Sequence, residues 1–327
     1  MGGAGFSYQL HPEPESLPVR QILLRAFELG LRTIDTSPYY EPSEQLMGAA
    51  LSHPEVTTKY QRSDYVLMTK AGRIAENHLD YSPDWIRRSV ARSLQRFQTS
   101  YLDVVFCHDI EFVSIEEAVK AVGTLFEIAK TGAIRSVGIS GYKIETLARV
   151  ATLARERYGR PVDVVQNWAQ LTLQNTRLEQ GGFDALHGAG VKAVVCSSPL
   201  AVGLLRYGGI PVGRTGDWHP APHGLRAAAQ KAAEWVEAQG ESLSSLALRF
   251  AIARAHRNSR PGFTVTTATG ISSLSDLEAN VKTARRASLD KKDEVLIDQV
   301  RFMLGPWVDY DFSTPTPRAT KEIVHRI

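Results

Sequence analysis

The sequence predicts an α/β fold, a closed (β/α)8 TIM barrel, on three observations. Short apolar runs alternate with amphipathic helical stretches seven or eight times along the 327 residues, the pattern of parallel strands joined by right-handed crossovers. No G-x-G-x-x-G follows an N-terminal strand, which argues against a doubly wound open sheet. The side chains with chemistry to offer fall at the ends of several different strands, and that is the habit of a barrel.

In chain order, the Gly-rich and then Pro/Glu-rich opening MGGAGFSYQLHPEPESLP reads as a loop. It leaves the first strand short, degenerate or cut off. Residues Pro18–Leu29 carry apolar side chains at helical spacing, and Gly30 stops them. Thr33 and Ile34 form a short buried strand that delivers Asp35, and a helix begins near Pro42. Ser52–Ser63 reads as a polar connection, Val66–Met68 as a strand leading to Lys70. Ser82-Pro83-Asp84 caps a helix to about Phe97. The strand Leu102–Cys107 follows, then a helix from Ser114 with Glu116 and Glu117 in its first turn.

Further on, the expected strands are Ala133–Ile139, Val162–Gln166, Val191–Cys196 and Phe263–Ala268. The expected helices are Lys143–Arg157, Asn175–His187, Leu225–Gln239, Leu243–Ala255, Ser273–Ala287 and an extra C-terminal one, Lys291–Leu304. Between strand seven and the next helix, Ala201–His223 is a long loop rich in Gly and Pro, a candidate substrate loop. One barrel domain is expected to occupy residues 1–327.

The 43% hydrophobic and 22% charged content describe a soluble globular chain with ample core. A net charge of +3, with both signs interspersed, asks for neither nucleic acid nor membrane as a partner. Cys107 and Cys196 sit in apolar runs and make no disulfide framework. With no signal-like N-terminus and no apolar run of transmembrane length, the expected location is cytoplasmic. A monomer or weak homo-oligomer is expected, and the residue pattern suggests no metal site.

Asp35, Tyr40, Lys70 and His108 are the candidate catalytic group. Reducing a carbonyl with a nicotinamide needs a proton donor at oxygen, and tyrosine is a poor acid, with an ordinary pKa of about 10. An ammonium beside it lowers that value and lets one residue serve in both directions. Lys70 is the ammonium, Asp35 fixes its charge and position, and His108 orients the substrate oxygen. Tyr39 is the other candidate for the acid.

These residues resemble the aldo-keto reductases. DTSPYY with SEQLMGAAL places Asp35 and Tyr40, MTK places Lys70, and DVVFCHD places His108; GAIRSVGISGY, VVQN, SSPLAVGLL and GISSLSDLEANV follow in order. The resemblance covers nearly the whole chain. It implies that Ser140 and Gln166 hold the nicotinamide carboxamide. It assigns the pyrophosphate to the backbone from Ser198 to Leu200 and the loop after it, with Gly203, and the adenosine end to Ser272, Asp276 and Asn280; Ser197 and Gly270 are also expected to bind the cofactor.

The departures from the family pattern carry their own expectations. Gly141 replaces the usual Asn, and Ser197 the aromatic that stacks on the nicotinamide. Gly270 and Asp276 stand where NADP-preferring members place cations, so NAD is expected over NADP, with NADP possible. Within the family, GGAGFSYQ, LTLQN and SSPLAVGLL look most like the sugar dehydrogenases that oxidise C1 of D-arabinose or L-galactose to the lactone. Trp168, Asn175, Trp218 and His219 are then the expected sugar pocket. The alternatives are an NADPH-dependent reductase of aldehydes such as pyridoxal and a cofactor-binding regulatory subunit. A barrel hydrolase lacks its paired acid.

Overall fold

A computed structural model describes residues 1–211, 213 and 216–313. Part of the expected substrate loop (212, 214 and 215) and of the expected domain (314–327) therefore lies outside the described residues. In chain order the strands are β1 (Thr33–Asp35), β2 (Val66–Ala71), β3 (Arg73–Ala75), β4 (His78–Leu79), β5 (Leu102–Cys107), β6 (Ile134–Gly141), β7 (Val164–Trp168), β8 (Ala193–Ser197) and β9 (Thr264–Ala268). The helices are α1 (Val19–Glu28), α2 (Ser43–Leu51), α3 (Pro54–Thr57), α4 (Pro83–Phe97), α5 (Ile115–Lys130), α6 (Ile144–Tyr158), α7 (Gly182–Gly188), α8 (His223–Ala238), α9 (Leu243–Asn258), α10 (Leu274–Ala284) and α11 (Lys291–Leu304).

Seven strands pair in parallel in the order β1-β2-β5-β6-β7-β8-β9. The eighth stave is Gly2, which bridges Asp35 on one side and Gly270 on the other, both in parallel. Gly2 N donates to Thr269 O, and Asp35 N donates to Met1 O, so the ring closes into a (β/α)8 barrel. The expected weakness of the first strand is its length; the closure survives because two residues span the gap.

Strand residues alternate between the two faces of the sheet. Ile34, Leu67, Val105, Cys107, Val137, Ile139, Val165, Val194, Cys196 and Val265 join the large core under the helices. Met68, Val104, Phe106, Val164, Val195 and Ala268 fill the barrel interior. Asp35, Lys70, His108, Ser140, Gln166 and Ser197 share the interior parity of their strands, one step beyond that apolar plug. The alternation alone aims all six at the mouth.

Three expectations change. The helix expected over Asn175–His187 splits into a 3-10 turn, Arg177–Glu179, and the short α7, because Gly181 turns left-handed (φ +94°) between them. The Ser52–Ser63 connection holds α3, with His53 capping it by accepting from Glu55 N. After Lys70 the chain makes an unforeseen antiparallel hairpin, β3–β4.

Glu44, a fully buried acid on α2, ties the end of β2 beside Lys70 to α4. It accepts from Thr69 Oγ1 (2.7 Å) on β2 and from Ser93 Oγ (2.8 Å) and Arg96 (3.1 Å) on α4. Gly48 lets α2 approach α4 this closely, since a Cβ there would stand 1.9 Å from Arg96 O. Removing one partner of a buried, hydrogen-bonded charge pair costs about 3–5 kcal/mol. Glu44→Ala should therefore lower unfolding stability by that amount in urea titrations; a loss under ~0.5 kcal/mol would contradict the role given to Glu44.

Candidate active site

Lys70, at the mouth of β2, is almost completely buried, so its charge must be matched there. Its Nζ donates to Asp35 Oδ1 (2.9 Å) and to Thr36 O (2.9 Å). Asp35 Oδ2 accepts from Gln166 Nε2 (3.0 Å), which ties β1 and β2 to β7 across the barrel. Nζ also lies 5.3 Å from the centre of the Tyr40 ring. The rings of Tyr40 and His108 stand edge to face, centroids 5.9 Å apart. Asp35, Tyr40, Lys70 and His108 are thus brought together. Tyr39, the other candidate acid, lies next to them, 5.9 Å from His108 and 5.8 Å from Tyr40 between ring centres.

Burial pushes the His108 imidazole down to about 4, with Lys70 and Arg73 adding to that and Asp109 opposing it. The ring is therefore neutral at physiological pH. Its Nδ1 lies 3.1 Å from Ser37 Oγ, and its Nε2 lies 3.5 Å from Asp109 Oδ2. For Tyr40 the structure reverses the expected direction. Burial pushes the phenol well above its ordinary value, and Asp35 and Asp109 push the same way. The expected tyrosinate bias assumed that the Lys70 charge is available to the phenol. Asp35 balances that charge, and desolvation decides the direction. In this state Tyr40 is a neutral proton donor.

The residues expected to bind the cofactor divide into groups. Gln166 donates through Nε2, while its Oε1 is buried with no partner among the described residues. Ser140 Oγ makes only long contacts, 3.4 Å to Asp109 N and 3.4 Å to Cys107 O. A buried amide oxygen left unpaired and a weakly held hydroxyl on neighbouring strand ends fit a carboxamide, which offers two N–H donors and an acceptor.

Beyond β8, Ser197 Oγ bonds Asn167 O (3.3 Å). Ser198, Ala201, Val202 and Gly203 all have positive φ. Left-handed backbone at residues other than Gly carries an energetic cost, which is a mark of binding loops. Leu200, between Ser198 and the other three, is the N-cap of a single 3-10 turn. Asp276, in the first turn of α10, accepts from Ser272 N (3.2 Å) and Ser272 Oγ (2.7 Å), so one of its oxygens shapes the loop. Asn280 Nδ2 reaches Gly270 O at 3.4 Å.

The expected sugar residues hold up less well. Asn175 is fully buried, its amide donating to Tyr310 O (3.2 Å) and accepting from Arg177 N (3.0 Å). It anchors the C-terminal segment, so a pocket role is corrected. His219 is also buried, with Nε2 3.2 Å from Ala201 O and Nδ1 accepting from Ala221 N; it ties the two ends of the long loop together. Trp218 is half exposed on that loop, and Trp168 packs on Tyr142, ring centres 4.4 Å apart. Cys107 is buried and its thiol is pushed up by burial, which leaves it unreactive.

Sequence reading missed Arg73, Asp109 and Glu111. Arg73 and Asp109 form an ion pair beside His108. Glu111 Oε1 accepts from Tyr142 N (2.6 Å), and its Oε2 occupies the space over Gly141, 2.1 Å from where a Cβ would stand. The replacement of Asn by Gly141 is thus explained locally, since a side chain there would collide with this carboxyl. The available signal was the acid pair in HDIEF.

A model of the aldo/keto reductase family matches residues 2–301. The chain is 39% identical over 254 residues to D-arabinose 1-dehydrogenase of Saccharomyces cerevisiae, covering 77% of this chain and 74% of the relative. It is 33% identical over 285 residues to L-galactose dehydrogenase of Arabidopsis thaliana, covering 86% and 82%. An aldo-keto reductase from Bacillus halodurans, solved in its holo form, superposes with a TM-score of 0.64 at 24% identity over 92% of this chain and 90% of that one.

Burial pushes the Glu111 carboxyl up to about 7 from an ordinary 4.5, and Asp109 adds to it. Between those values the folded protein keeps a proton that the unfolded chain releases, so this stabilisation is lost as pH rises through about 7. Relative to wild type, Glu111→Gln should gain roughly 1–3 kcal/mol in unfolding stability on going from pH 5 to pH 8. Urea midpoints at the two pH values check this, and a pH-independent difference would contradict it.

Proposed function

Because the chain belongs to the aldo/keto reductase family, oxidoreductases that act on CH–OH groups with a nicotinamide cofactor, we propose that it oxidises C1 of a free aldose of the D-arabinose or L-galactose kind to the lactone. The observation that carries this reading is the Asp35–Lys70–Tyr40–His108 assembly, with the unpaired Gln166 oxygen on the same ring of strand ends. The identities to the two sugar dehydrogenases support the substrate class.

When bound, a nicotinamide cofactor would supply the hydride acceptor. Ser140 and Gln166 would hold its carboxamide, and the Ser198–Gly203 loop would hold its pyrophosphate. Asp276 adds a negative charge at the start of α10, which favours NAD over NADP. Tyr40 Oη exchanges the proton of the C1 hydroxyl, and neutral His108 donates or accepts a hydrogen bond at the same oxygen without competing as an acid. Lys70 stands by the phenol with its charge balanced by Asp35, ready to stabilise the tyrosinate once the proton leaves. Trp168 and Trp218 border the sugar.

The raised Tyr40 phenol has a consequence for direction. Acting as a base requires ionisation, so aldose oxidation should climb with pH through the alkaline range. Reduction of a simple aldehyde uses the neutral phenol and should run well at pH 6–7. This second reading, an aldehyde reductase, draws its support from the neutral Tyr40.

Initial rates with NAD and NADP from pH 6 to 10, on D-arabinose, L-galactose, L-fucose and D-glucose, test the proposal. NAD-linked turnover of the arabinose and galactose set is expected to rise with pH and to fall at least a hundredfold in Tyr40→Phe. Turnover of aldehydes alone, with NADPH alone, would contradict the substrate and cofactor assignments.

A further inference from the structure

We propose that Asp109 and Arg73 form a hydroxyl-reading subsite that selects substrates bearing a hydroxyl on the carbon next to the reacting one. The inference rests on the reading of Tyr40 and His108 as the groups that hold the reacting oxygen. Asp109 directly follows His108, and its backbone is left-handed, with φ +50°. That turn is uncommon for a residue other than Gly, and Asp and Asn accept it best. Its effect is to fold the carboxylate back, bringing Oδ2 to 3.5 Å from His108 Nε2.

The partner comes from the hairpin that follows Lys70. Arg73 pairs with Asp109 Oδ2, and its guanidinium lies 4.2 Å from the centre of the Tyr39 ring and 5.2 Å from that of Phe112. Arg73 Nε is buried without a partner among the described residues, a hydrogen bond still to be made. Phe112 is 57% exposed, which is unusual beside so much buried charge and leaves apolar surface open. A carboxylate acceptor, a guanidinium donor and two aromatic rings therefore cluster beside His108.

This combination suits a polyol. A hydroxyl donates to the carboxylate and accepts from the guanidinium, while the carbon-bound hydrogens pack on the rings. A plain aldehyde makes none of these contacts. A site built to hydrogen-bond a hydroxyl rejects the analogue without it, because its buried polar groups are left unpaired.

The test crosses substrate with variant, using the whole protein. We compare kcat/KM for D-arabinose with that for its 2-deoxy counterpart in the oxidising direction, and for glyceraldehyde with that for 3-hydroxypropanal in the reducing direction. Wild type should lose at least about tenfold when the hydroxyl is removed. In Asp109→Asn, which keeps the left-handed turn, and in Arg73→Lys, on a separate element, the loss should shrink to within about threefold. A wild type that does not discriminate, or discrimination intact in both variants, overturns the subsite. Glyceraldehyde discrimination that collapses in the variants, with no aldose oxidised, would uphold the subsite and overturn the aldose reading alone. No turnover of any hydroxylated substrate would overturn both.

Discussion

The Lys70–Asp35 ion pair is the constraint on which the mouth of this barrel depends. Two charges taken out of water are costly, and their attraction offsets that cost only when their remaining donors and acceptors are satisfied. Here Thr36 O accepts a second hydrogen bond from Lys70 Nζ, and Gln166 Nε2 donates to the second oxygen of Asp35. Satisfying the pair therefore fixes three strands at once. Because Gln166 is committed to Asp35 through its nitrogen, its oxygen is the part left over, and it faces the site.

The same pair sets the character of Tyr40. A lone ammonium near a phenol would favour tyrosinate, but a neutralised one does so weakly, and the phenol stays protonated in a desolvated place. His108 is held neutral by the same burial. Both groups able to move or share a proton at this mouth thus rest uncharged. Packing and charge are linked here: the burial of these two side chains at the mouth is the leading cause of their protonation states.

Much of the fold was legible because strand periodicity is. Apolar runs ending in Asp35, Lys70, His108 and Gln166 carry both the barrel pattern and the parity that aims those side chains inward. The hairpin after Lys70 was not legible, since Arg73–Ala75 and His78–Leu79 offer no apolar run. The Asp109–Arg73 pair depends on one left-handed turn, which residue types do not announce. Asn175 and His219 looked like pocket residues because they are polar and lie in loops; burial turned their polar atoms into ties between segments. The direction of the Tyr40 shift is not legible in the sequence, because residue types show a nearby charge but not the burial that outweighs it.

The most direct test of this account is a double-mutant cycle on turnover with Tyr40→Phe, Lys70→Met and the pair combined, each checked for retained fold. If Lys70 acts through Tyr40, the double variant should be no slower than the slower single variant, because groups that work as one unit do not add. Losses that multiply would show that the two residues contribute independently, and would contradict the organisation described for this site.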